Sequence, residues 1–330
     1  MPGEVRLQRK QLALFKIETN YGVDAAPTEA NSNQAVRLVD PFDMDMGQEF
    51  IEITPGNNTR GMNRALPTFR PTGATFRSYV TGITPGNSYT ATIKPPLADL
   101  LRACGLFETF TSSDATGKAR YTYAPAASVG SDASVTLVLH HDGYDQRLLG
   151  CRGNVNFLYS ARAPVIAEFS FRGLLSTEAE TARGTASFLE VIPPAWIDSG
   201  SIIVTSFCLD AANLNLNTNN TLMEQKSACA GSASGIVQVL ITERAPGGSL
   251  DPAAPRVNTS NVIGLFRSAS EAILRLNAGV EAGNQFTINA SLMLYKAVGW
   301  GDTEGLSIFN IDYQLYQRSG NDEYNVIFQS

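Results

Sequence analysis

At 330 residues the chain is long for one antiparallel domain, so two domains are the expectation, and 43% hydrophobic residues suffice for sizeable cores. Charged residues make up only 17%, with Asn, Ser, Thr and Gly filling the gap, as on a polar surface much of which faces other protein. A net charge of −6 argues against a nucleic-acid binder, which needs a basic patch, and no apolar run reaches the length of a membrane span.

Leu12 to Phe15 is too short for a signal-peptide core and is followed by Lys16 and Glu18, which predicts synthesis in a cytoplasm. Residues 1 to about 45 are rich in turn formers (Gly22, Pro27, Asn31 to Asn33) and read as an extended N-terminal arm. Phe50 to Thr54 and Thr68 to Ile83 read as strands joined by a polar loop, Pro55 to Pro67. The clearest helix is Pro95 to Gly105: proline in its first turn, Asp99 near the positive end, Gly105 as C-cap, and Leu97, Leu100, Leu101 and Cys104 as its apolar stripe.

Val135 to Leu175 reads as four short strands. Val135, Leu137 and Leu139 alternate, Asp142-Gly143 makes a tight hairpin, Arg147 to Gly153 returns, Asn154 to Ser160 alternates again, and Val165 to Leu175 follows. The polar, proline-containing stretch 179–200 is the expected linker between modules at 1–178 and 201–330. Beyond it the plan repeats. Strands at 202–209, 214–216 and 236–243 precede a helix at Ser260 to Ala269, and strands at 272–276, 284–295, 305–316 and 324–328 follow. An internal duplication is the hypothesis that this order suggests.

Chemistry-bearing motifs are sparse. His140-His141 lie next to each other on a strand, point to opposite faces and are expected at an exposed hairpin end. Glu49, Glu52, Glu168, Glu178 and Glu180 are the carboxylates available for glycosidase-type pairing, and solvated sheet-face acids are the plainer reading. Gly247-Gly248 and Gly231 to Gly235 lack a following Lys-Ser/Thr and read as loops. Cys104, Cys151, Cys208 and Cys229 show no metal or disulfide spacing and are expected as buried free thiols. No catalytic residue, cofactor or metal is expected.

Several stretches together resemble the tail tube (major tail) proteins of long, non-contractile tailed bacteriophages. They are FKIETNYGVDAAPT, PLADLLRACG, LVLHHDGYDQRLLGCRGNVNF with its F-x-F-R-G strand, ITERAPGGSLDP, and the closing GLSIFNIDYQLYQ and NDEYNVIF. The resemblance covers most of the chain through loose patterns. It implies a mainly β fold of two tandem β-sandwich modules, each with a short flanking helix, whose sheets join around a ring with a β-barrel-like lumen. Stacked rings, three chains giving six pseudo-equivalent modules, form the conduit for DNA ejection. The implied partners are further copies of the chain, a tape measure protein, a tail terminator and tail-tip or baseplate proteins. Genomic DNA passes the lumen without specific binding, and no membrane is bound. The implied location is the virion tail, assembled in the host bacterial cytoplasm.

Within that frame the inner sheets are expected at 68–83, 145–175 and 284–316. Glu49, Glu52, Glu168 and Asp312 are candidate lumen charges; Asn57, Asn58, Arg60 and Arg64, with residues 20–45, are candidate ring-to-ring contacts. The alternatives are a tail-tip or carbohydrate-binding β-sandwich, for which Trp196 and Trp300 are the only tryptophans, and a hydrolase with a carboxylate pair.

Overall fold

The Asp142-Gly143 hairpin forms in the computed structural model of the chain and sets the register around it. Asp142 (φ +43°) and Gly143 (φ +88°) both lie in the left-handed region, as a two-residue turn that matches strand twist requires. They join β9 (Val135–His141) to β10 (Tyr144–Ser160) and place His141 opposite Tyr144. The structure describes residues 7, 10–46, 49–52, 65–69, 72–127, 132–161, 163–181, 184–194, 201–205, 207–227, 236–257 and 260–330.

Where the sequence suggests four short strands over 135–175, the structure has three: β9, β10 and β11 (Ile166–Glu180). β10 continues through the expected break, with its pairing to β11 shifting between Leu149 and Arg152. Gly150 takes φ +62°, and the Tyr21 ring comes to 2.5 Å from where a Cβ would stand. Glycine alone fits there, so the strand bulges and bends instead of ending.

The first half of β10 pairs with β9, β9 with β1 (Gln11–Ile17), and β1 with β2 (Ala35–Val36). On its other edge β10 pairs with β11, β11 with β6 (Thr72–Tyr79) and β6 with β3 (Asp43–Met46). Beyond the bulge β10 takes a new neighbour, β14 (Ala211–Asn217), with Asn156 opposite Asn217 and Ser160 opposite Asn213.

From β14 the ladder continues to β17 (Gly247–Pro252), β20 (Leu306–Leu315) and the long β19 (Gln285–Thr303). The first half of β19 also pairs with β18 (Ala272–Ala278) and β21 (Asn325–Gln329). β18 leads to β12 (Ser201–Val204) and β13 (Phe207–Cys208); β21 leads to β8 (Arg120–Pro125) and β7 (Leu106–Thr111). β4 (Glu49–Glu52) with β5 (Ala65–Phe69), and β15 (Asn220–Lys226) with β16 (Ile236–Arg244), form separate two-stranded ribbons. Among the described residues the strand ladders form large antiparallel sheets with no closed barrel, and one isolated bridge, Leu38 opposite Ser78, ties the chain just after β2 to β6.

One apolar cluster runs from Ala13 to Phe328 and spans both sides of residues 179–200. Phe157 meets Phe286 at 5.6 Å between ring centroids, Phe286 meets Phe328 at 5.2 Å, and Phe328 meets Tyr123 at 6.0 Å. Segment 184–194 is a strap tied to both sides: Ser187 N–H bonds Glu29 O at 2.9 Å, and Asn284 Nδ2 bonds Ile192 O at 2.9 Å.

Helix α1 (Ala98–Ala103) buries the expected stripe of Leu97, Leu100, Leu101 and Cys104, and Gly105 at φ +80° ends it. Helix α2 (Val262–Arg267) is capped by the Asn261 side chain, which accepts from Gly264 N–H. It buries Val262 alone, while Ala269 is exposed at φ +47°. Cys104 and Cys151 are buried, with their thiols pushed up by desolvation. Cys208 departs from expectation by being exposed, and Cys229 lies outside the described residues.

The N-terminal arm is the main correction. Leu12 to Phe15 are buried in β1, Ala13 and Phe15 in the main core and Leu12 and Leu14 beneath Ala186 and Phe188. The loop that follows is folded onto its own chain by one carboxylate. Glu18 accepts from Gly22 N–H (2.8 Å), Ser134 Oγ (2.6 Å), Thr136 Oγ1 (3.0 Å) and Gly150 N–H (2.8 Å). Replacing Glu18 by Ala removes the acceptor for all four donors. A loss of about 2–4 kcal/mol is expected in urea unfolding, with the Tyr21 loop becoming the first segment open to proteolysis.

Candidate functional site

Eight strands make one uninterrupted antiparallel course, β3–β6–β11–β10–β14–β17–β20–β19. Alternation sends one set of side chains into the core: Phe76, Phe169, Phe171, Phe157, Leu214, Leu216, Leu250, Ile311 and Tyr313 are all buried. The opposite set faces outward, and its chemistry is unusual for so large a sheet. One row reads Arg77, Glu168, Asn156, Asn217 across β6, β11, β10 and β14. The next reads Tyr79, Ile166, Leu158, Asn215, and across β17 and β20 Ser249 stands opposite Asp312.

Amides are fixed into this face by the backbone. Asn215 Oδ1 accepts from Ser249 N–H at 2.8 Å, and Asp251 accepts from Asn213 N–H at 2.5 Å and Asn213 Nδ2 at 2.8 Å. The few arginines are matched by acids. Arg77 donates to Glu168 at 2.8 and 2.9 Å with Asp40 at 3.8 Å, and Arg172 donates to Asp45 at 2.5 Å. Asp43, Asp251 and Asp312 add negative charge, so the face is amide-rich and mildly acidic. A hollow of about 470 Å³ opens on it between Ser160, Asn213, Asn215, Ser249, Asp251 and Asp312.

Of the residues singled out from sequence, Glu168 and Asp312 lie on this face, though Glu168 is partnered by Arg77. Glu49 and Glu52 belong to the β4–β5 ribbon, off the eight-strand course, with Glu52 exposed. Asn57, Asn58, Arg60, Arg64 and Trp196 lie outside the described residues. Of the stretch 20–45, Tyr21 is tied to its own chain: its hydroxyl accepts from Val239 N–H at 2.7 Å, and Arg152 lies 5.0 Å from its ring centre.

The amides were the missed signal. Asn213-Leu214-Asn215-Leu216-Asn217 and Asn154-Val155-Asn156 alternate with period 2, which marks one polar and one buried face.

His140 corrects another expectation. It is buried, with Nδ1 bonded to Asp145 and Nε2 3.8 Å from Glu29, while His141 packs edge-on to Phe42 at 6.4 Å. A second hollow of about 560 Å³ lies between Gly105, Asn220, Ile241, Arg244 and Glu323. Its guanidinium is engaged: Arg244 donates to Glu323 at 3.0 Å, Ala126 O at 2.7 Å and Asn321 at 2.5 Å. Among the described residues no group of three or more His, Cys, Asp and Glu is placed to hold a metal ion, and no helix is long and apolar enough to cross a membrane.

No protein-family model matches the chain, and no curated protein matches it.

The Arg77–Glu168 pair is half open to solvent on the Arg77 side, 45% against 27%. Its contribution to stability is therefore small. Glu168→Ala is expected to change the urea-unfolding free energy by less than about 1 kcal/mol, well below the Glu18 effect.

Proposed function

We propose that this chain is a structural protein that polymerises through rings into a hollow tube, the tail tube of a long, non-contractile tailed phage. The observation that carries the reading is the eight-strand sheet with one buried face and one amide-rich, mildly acidic face. Rolled around an axis with the amide face inward, such sheets make a smooth polar lumen. A wall with matched or negative charge does not hold a duplex that carries one phosphate per about 1.7 Å.

The order of pairings supports two tandem modules. β1 pairs with β9 as β12 pairs with β18. The hairpins β9–β10–β11 are matched by β18–β19–β20. β11–β6–β3 is matched by β20–β17–β14, and the ribbon β4–β5 between β3 and β6 by β15–β16 between β14 and β17. α1 and α2 each come before the corresponding hairpins. Three chains then supply six modules to a ring. The tape measure protein fills the tube before ejection, a terminator and tip proteins close its ends, and the chain has no catalytic role. Its place is the virion tail, after assembly in the bacterial cytoplasm.

One observation favours a second reading, a glycan-binding module: Trp300 is 67% exposed and lies 4.5 Å from the Phe309 ring centre, a ready aromatic platform.

Electron microscopy of the purified protein over a concentration series tests the first reading. Hollow filaments or stacked rings with three- or six-fold end views are expected. Glycan binding by a protein that never assembles favours the second. The lumen assignment has its own test. Asp251→Lys with Asp312→Lys is expected to leave tube formation intact and to make the tubes retain duplex DNA at low salt, with release as salt rises. The unsubstituted tubes are expected to retain none.

A further inference from the structure

The eight-strand course ends at two dissimilar edges. At one end is β3, whose pairing among the described residues is with β6. At the other is the second half of β19, where the pairing to β18 stops at Met293 and β20 covers only the opposite edge as far as Thr303. The core-facing side chain there is Trp300, exposed although it points to the same side as buried Ile311 and Phe309.

The chain contains an internal counterpart of this end. β10 also outruns its hairpin partner: its pairing to β9 stops at Cys151, and β14 then takes up the same edge from Asn156 to Ser160. The core-facing residues of that half of β10, Val155, Phe157 and Tyr159, are at most 2% exposed. Phe286, from the other half of the chain, covers Phe157 and Tyr159 at 5.6 and 6.3 Å. The ribbon that leaves β14 packs beside the junction: Arg152 donates to Val239 O at 2.7 Å, and Asn220 donates to Cys104 O and Gly153 O at 2.8 and 2.9 Å. Its Ile236, Val239 and Ile241 are buried. The corresponding ribbon that leaves β3 has Phe50, Ile51 and Leu66 exposed at 60, 58 and 49%.

Resting on the ring reading above, we infer that a second copy of this chain occupies the β19 edge, with its β3 strand in the place that β14 holds against β10. Its β4–β5 ribbon then covers the end of α2, and Trp300 is the buried anchor of the seam. Strand parity agrees. With eight strands alternating in direction, β3 and β19 run oppositely, so a head-to-tail junction continues the antiparallel ladder. Exposed apolar side chains on the ribbon and at the edge, with an aromatic at the centre, are what a seam between copies requires.

Cysteine pairs on the open face test the seam in full-length protein with Cys208 and Cys229 changed to Ser. Asp43→Cys is combined with Ala297→Cys or with Gly299→Cys, and each single cysteine serves as control. Oxidation is expected to give a head-to-tail covalent ladder for at least one pair and for neither control. Trp300→Ala is expected to weaken self-association about 30-fold or more in sedimentation, without changing the monomer's circular dichroism. In a Trp196→Phe background, Trp300 emission is expected to move to shorter wavelength as association proceeds. Rings or tubes that form without cross-linking of either pair, and with unshifted emission, overturn the seam while the tube reading stands. A protein that stays monomeric at every concentration, with no cross-link, overturns both.

Discussion

The fold depends on how the edge of β10 is satisfied. A strand of this length presents backbone N–H and C=O groups along two edges, and any left unpaired away from water costs as much as a lost hydrogen bond. β11 covers one edge almost throughout. The other edge is shared: β9 before the Gly150 bulge, β14 after it. That single change of neighbour joins the two halves into one sheet, which is why one core runs across the segment between them. Glu18 makes the bulge tenable, because it accepts the Gly150 N–H and binds with it the hydroxyls of Thr136 on β9 and of Ser134 just before that strand.

The same sheet has two faces with opposite chemistry, and both follow from alternation. Large apolar and aromatic residues fill one side. The other is a mixture of asparagines and serines with paired charges and a few apolar side chains, and Asn213 and Asn215 carry no net charge. Asn213 and Asn215 bond across to β17, so these amides stiffen the surface on which they lie. An amide face neither attracts polyanions as Lys and Arg do nor stores the self-repulsion of an all-acid wall. The two arginines that interrupt it are each held by a carboxylate.

Much of this was legible in the sequence, and the failures have physical causes. The Asp142-Gly143 turn and α1 with its Gly105 stop could be read because turn chemistry and periodicity are local. The continuity of β10 could not, since Gly150 and Gly153 look like a break until the partners on both edges are known. β1 was hidden for a related reason: LALF is short, and only its place between β9 and the strap at Ala186 and Phe188 makes it core. His140 was misjudged because Asp145 and Glu29, which surround it, come from a neighbouring strand and a distant loop. For the open face, acids drew attention as potential chemistry, whereas the informative residues were alternating asparagines, each unremarkable alone.

A function that resides in surfaces leaves a different kind of trace from one that resides in a site. Catalysis requires a few residue types at fixed separations, which a motif can record. A polymer of open sheets requires only that alternation be kept, that strand number be even, and that the two terminal edges differ. β3 is short, alternates Asp with Met and is followed by a ribbon with exposed Phe50, Ile51 and Leu66; the second half of β19 is long and carries an exposed tryptophan. Identical edges would favour pairing about a two-fold axis, which closes at two copies. Unlike edges favour a heterologous junction, which adds copies in one sense until rotation closes the ring. In the proposed assembly the asymmetry between these two edges is the feature most directly tied to ring growth, and many different residues can encode it.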